Sequence, residues 1–142
     1  MYKEITQKII DLLKAHADLI CPTKIKEYHF GAPVTFAKVR YPAIYVQFNG
    51  RRVSGKANVN QFLYDLVFEI GVADRSVKED DAEKSVYDKA EAIDSVLRDN
   101  PTLDGLVSDM RLARDIEVVH ATESDYAVAI ARVIHVARKW MN

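Results

Sequence analysis

The chain has 142 residues, 49% of them apolar, which fits one domain of ordinary size with a real hydrophobic core. Its 20 basic and 21 acidic residues nearly cancel, so there is no global electrostatic case for nucleic-acid binding, and only a local basic patch is left open. A single cysteine, Cys21, excludes an intrachain disulfide and the familiar zinc-finger patterns.

The start, Met1-Tyr2-Lys3-Glu4, does not read as a signal peptide, because charged residues interrupt its apolar ones. Ile5, Ile9, Leu12, Leu13 and His16 then recur at helical spacing, with Lys3, Gln7, Asp11 and Lys14 mainly elsewhere around the turn. This predicts an amphipathic helix from about Tyr2 to Ile20, stopped by Pro22. Cys21 reads as a small, partly buried residue at that helix end; a cysteine nucleophile needs a base beside it, and none is evident.

Thr23 to Val39 is ambiguous. Lys26 to Phe30 reads as a short strand, broken by Gly31 and Pro33. Tyr41 to Phe48 reads as a strand, with Pro42, Ile44, Val46 and Phe48 on one parity and the proline tolerated near the start. Asn49-Gly50 is a turn signal, and the basic, polar stretch Arg51 to Asn60 reads as a long hairpin loop or contact arm. It lacks the glycine spacing and the Gly-Lys-Ser/Thr ending of a phosphate loop, and it precedes a strand where such a loop precedes a helix.

The clearest strand follows. Phe62, Tyr64, Leu66, Phe68, Ile70 and Val72 share one face, while Asp65 and Glu69 share the other. So uniform an apolar face reads as core rather than as an aromatic nucleic-acid platform. Ser76-Val77-Lys78-Glu79 has the form of a capping box. The helix after it carries Ala82, Val86, Ala90, Ile93 and Leu97 as a stripe, with Asp80–Lys84 and Asp94–Arg98 one turn apart, and ends at Asn100-Pro101. The acidic run Glu79-Asp80-Asp81 is what a helix dipole favours at an N-terminus, and is read so rather than as a carboxylate site.

Thr102 to Gly105 is a turn. Met110, Leu112, Ile116 and Val118 mark another strand, and Thr122 to Asp125 another turn. The last strand has a large face (Tyr126, Val128, Ile130, Ile134, Val136) and a small one (Ala127, Ala129, Ala131, Ala137). Small residues suit a face covered closely by a helix or by a neighbouring subunit. The stretch from Tyr126 to Val136 contains Arg132 and His135, and is too short and too charged to span a bilayer. A soluble protein, made inside the cell and with no membrane partner, is the expectation.

The predicted order of helix, two or three strands, helix and two strands gives an α+β fold: a single antiparallel sheet with two α-helices packed on one face. No internal repeat, low-complexity tract or linker is visible, so residues 1–142 read as one domain. The chemistry is sparse. His16, His29, His120 and His135 show no metal-motif spacing, although His120 and His135 lie on strands that could bring them together. No Gly-x-Ser-x-Gly elbow is present. No catalytic residue, metal site or cofactor is predicted, and the expectation is a protein that is not an enzyme.

Three segments carry a resemblance: Tyr-Pro-Ala-Ile-Tyr-Val-Gln-Phe at Tyr41 to Phe48, the capped helix after the long alternating strand, and Arg-Asp-Asn-Pro-Thr-Leu-Asp-Gly-Leu-Val at Arg98 to Val107, followed by two long strands. In these the chain resembles the tail-terminator and tail-completion proteins of long-tailed phages, the group that includes the minor tail protein U of phage lambda. The resemblance spans nearly the whole chain and rests on element order and turns. It implies a small α+β subunit, made in the host cytoplasm and placed in the virion tail or neck. The subunit would form a homo-oligomeric ring, expected to be hexameric, that caps the head-proximal end of the tail tube and meets the head connector. Genome DNA would pass through the lumen without sequence-specific binding.

A closing ring needs two different surfaces that meet head to tail. The alanine face (Ala127, Ala129, Ala131) and the basic arm (Arg51, Arg52, Lys56) are the candidates for an assembly interface. The alternatives are another head–tail neck or connector protein, a small binding module of a non-viral system, or an enzyme. A deep polar pocket would favour the enzyme, and a flat self-associating surface the structural protein.

Overall fold

The computed structural model describes residues 2–21, 24–33, 38–122 and 126–141, and side chains within these except those of Arg114, Ala121 and Thr122. The elements are α1 (Tyr2–Ala15), α2 (Ala17–Ile20), β1 (Glu27–Phe30), β2 (Ala43–Asn58), β3 (Gln61–Ser76), α3 (Glu79–Arg98), β4 (Asp109–Thr122) and β5 (Ala127–Met141). More residues lie in strands than in helices.

The strands form one five-stranded sheet in the order β1-β2-β3-β5-β4. Neighbours are antiparallel except β1 and β2, which run parallel with Glu27 opposite Ala43 and Phe30 opposite Val46. The expected single antiparallel sheet with two helices is therefore corrected: the sheet is mixed, strand dominates, and a third, short helix is present. The physical reason lies in the segment from Gly31 to Pro42. A parallel pair needs a crossover of about a dozen residues, and this connection is that long.

The first helix also departs from expectation. It breaks at His16, whose φ of −113° and ψ of 24° turn the chain before α2. The His16 ring donates from Nδ1 to the Leu12 carbonyl at 3.0 Å, so this histidine folds back on its own helix end. Pro22, expected to stop the helix, lies outside the described residues, as do residues 34–37 and the Glu123 to Asp125 part of the last predicted turn.

One sheet face is covered by helices. Ile5, Ile9, Ile10 and Leu13 of α1 and Ala82, Val86, Ala90, Ile93 and Leu97 of α3 are buried against Ile44 and Val46 of β2 and Leu66, Phe68, Ile70 and Val72 of β3. The period of two in β3 and the helical period in α3 thus meet in one core, as their patterns predict. A row of rings ties the start of α1 to this core: Tyr2 stacks on Phe48 at 4.6 Å, and Phe48 tilts against Phe68 at 5.4 Å. A smaller cluster of Tyr41, Tyr45, Ala73, Val128 and Ile130 sits on the opposite face. There Gly71 is required by space: a Cβ would lie 2.1 Å from the ring of Tyr45, whose hydroxyl donates to Glu69 at 2.5 Å.

The capping box does not close. Lys78 occupies the N-cap of α3 with no side-chain cap, and Ser76 Oγ instead accepts a long bond of 3.5 Å from the Lys78 amide. The helix start rests on Glu79, Asp80 and Asp81 in the first turn, which the helix dipole favours.

Candidate assembly surface

Where the sequence reads as a long hairpin loop or arm over Arg51 to Asn60, β2 continues to Asn58 and pairs with β3 down to Gln61, leaving Val59 and Asn60 as the turn. Register shifts between Phe48 and Gly50, Val53 and Gly55, and Lys56 and Asn58 let a polar, glycine-containing sequence stay in the ladder. At the first shift Gly50 has φ of +116°, a conformation that side chains resist. The arm is therefore a built hairpin, and along Gln47 to Asn58 its outer edge lies beyond the short reach of β1.

The three basic residues of the arm are exposed. Arg51 lies over the Tyr64 ring at 4.7 Å and Lys56 over Phe62 at 5.7 Å. Phe62 and Tyr64 are thus half-buried platforms for cations, whereas Leu66 and Phe68 of the same strand are core. Arg52, on the other face, pairs with Asp65 at 3.4 Å. Arg138 reaches the same carboxylate at 3.4 Å from β5. Asp65 is only 2% exposed, so this carboxylate holds two cations at the base of the arm.

The alanine face is placed differently. Ala129 and Ala131 are fully buried in the main core beneath α3, and only Ala127, at the strand's start, is half-buried. Of the two covers that small residues allow, the chain's own helix is the one present, so Ala129 and Ala131 present no surface to a neighbour. The large face of β5 points the other way, toward the side without helices, with Ile134 and Arg132 half-buried there. Arg132 donates to Glu117 of β4 at 2.8 Å across that face.

A buried histidine–carboxylate pair joins β5 to α3. His135 is 2% exposed, and its Nε2 lies 3.1 Å from Oδ1 of Asp94, itself 7% exposed. Arg98 donates to the other oxygen of Asp94. Burial holds the His135 ring below the ordinary histidine range, against the opposing pull of the Asp94 carboxylate. Of this arrangement the sequence shows only that Asp94 and Arg98 stand one turn apart on the helix. His120 pairs opposite Ala129 and His135 opposite Leu112, so the two strand histidines do not meet. His120 instead faces Glu79 at 3.7 Å and Glu83 at 3.5 Å on α3.

Two hollows among the described residues lie on or beside α3. A surface groove of about 400 Å³ on α3 is lined by Asp80, Glu83, Lys84, Tyr87 and Asp88. A smaller one of about 230 Å³ opens beside Asp94, Arg98 and His135. Among the described residues no three metal-ligating side chains converge, and no helix is long and apolar enough to cross a membrane.

The same architecture occurs in a known particle. A chain in the solved virion of a native gene transfer agent particle aligns with this one at a TM-score of 0.58 and 15% sequence identity, over 92% of this chain and 90% of that one. At that identity the likeness shows a shared fold. No protein-family model matches the sequence, and no curated protein matches it.

Proposed function

We propose that this chain is a structural subunit of a phage-like particle, and within it a tail-terminator or tail-completion protein. Such a subunit forms a ring that caps the head-proximal end of the tail tube and joins it to the head connector, with DNA passing through the lumen. The observation that carries this reading is the near end-to-end fold match to a chain of a gene transfer agent virion. Two features support it. The chain presents a basic hairpin at one end of the sheet, as a subunit with directional contacts requires. Among the described residues an open groove lies along a single helix, α3, a form that suits a docking surface.

Class averages of the concentrated, purified chain in negative stain test the ring. Closed rings with a central hole are expected. A population that stays monomeric at every concentration, and also fails to add to purified tail tubes, contradicts it.

A further inference from the structure

The molecule carries opposite charge at its two ends. Between Gln47 and Gln61 the arm holds Arg51, Arg52 and Lys56 and no acidic residue. Along the outer side of α3, residues 79–91 hold six acids (Glu79, Asp80, Asp81, Glu83, Asp88, Glu91) against Lys84 and Lys89. Lys89 is turned inward to Asp74 at 3.3 Å, and His120 already faces Glu79 and Glu83. Asp80 and Asp88 flank the groove whose apolar element is Tyr87, 40% exposed.

The hairpin offers a match in charge. Its turn residue Val59 is 80% exposed, and the cations Arg51 and Lys56 are held on aromatic rings rather than by carboxylates. The 16 residues of β3 separate the arm from the start of α3. At about 3.3 Å per residue that is roughly 50 Å from the hairpin turn, so a chain's own hairpin tip cannot reach the first turns of its own α3, although the far end of that helix packs back toward the base of the arm.

We propose that the basic hairpin of one copy docks on the acidic Tyr87 groove of α3 of a second copy, with Arg51 and Lys56 meeting Asp80 and Asp88 and Val59 covering Tyr87. The contact is heterologous, because its two halves are different surfaces at opposite ends of the molecule. It rests on the reading of the chain as a self-assembling subunit and names the surfaces that join.

The test uses the full chain and two paired charge reversals: Arg51→Glu with Lys56→Glu, and Asp80→Lys with Asp88→Lys. Arg52 is left intact because it pairs with the buried Asp65, and reversing it would place two carboxylates together. Circular dichroism confirms that each variant is folded. Sedimentation velocity then reads self-association, which weakens for the wild type as added salt shortens the screening length. Each variant alone is expected to associate at least tenfold more weakly than wild type. An equimolar mixture of the two recovers association, because acidic arms now meet basic grooves and basic arms acidic ones. A wild type that never associates at low salt, variants that associate as wild type does, or a mixture that fails to recover would each overturn the contact. Recovery without closed rings upholds the contact and counts against the terminator reading; rings that survive both reversals do the opposite.

Discussion

Replacing Ala131 by glutamate should unfold the chain rather than produce a folded subunit that cannot assemble. Ala131 has no exposed surface, and its methyl group lies in the core that α3 closes over the sheet. Glutamate brings extra volume, which forces the helix away, and a carboxylate with no partner in an apolar layer. An uncompensated buried charge costs about 3–5 kcal/mol, a large fraction of the stability of a domain this size. Urea denaturation followed by circular dichroism reads the loss directly. A well-folded Ala131→Glu monomer of wild-type stability would return this residue to the surface and reopen the alanine face as an interface. The same change at Ala127, which is half-buried at the strand's start, should cost far less.

The second large effect concerns Asp94. Asp94→Ala removes the acceptor opposite His135 Nε2, and His135 Nδ1 already lacks a hydrogen-bond partner among the described residues. A buried ring with neither nitrogen bonded loses about 1–3 kcal/mol of stability. Acid adds a second signature. The folded-state pKa of His135 lies below its unfolded value near 6.5, so the unfolded chain binds the proton more readily. The stabilising share of the neutral ring is therefore complete above the unfolded pKa and is lost as pH falls below it toward the folded pKa. The wild-type denaturation midpoint should drop over that window. His135→Gln, neutral at every pH, should flatten the slope there; an unchanged slope would mean that His135 does not couple to folding.

How far the sequence reached depends on which force shaped each element. Periodicity located α1, β3, α3 and the last two strands because each buries one continuous face, and Phe68 and Val86 sit where their spacing puts them. The parallel pairing of β1 with β2 was not legible, since a four-residue strand leaves almost no periodic signal and its partner is chosen by a long connection. The arm was read as a loop because Asn49-Gly50 resembles a turn. In the fold that glycine serves a register shift, and the ladder continues past it. The candidate site was legible by half. Arg51, Arg52 and Lys56 could be found as a basic, polar run. The alanine face could not be assigned to helix or neighbour, because small residues serve both. The His135–Asp94 pair joins residues 41 positions apart, and only tertiary structure brings them together.

The measurement that bears most directly on the functional reading is the position of this chain in particles released by the cells that encode it. Purified particles labelled with antibody and gold should carry the label at the junction of head and tail, and disrupted particles should yield the chain in stoichiometric amount. Particles that assemble normally yet contain none of the chain would contradict its reading as a virion subunit.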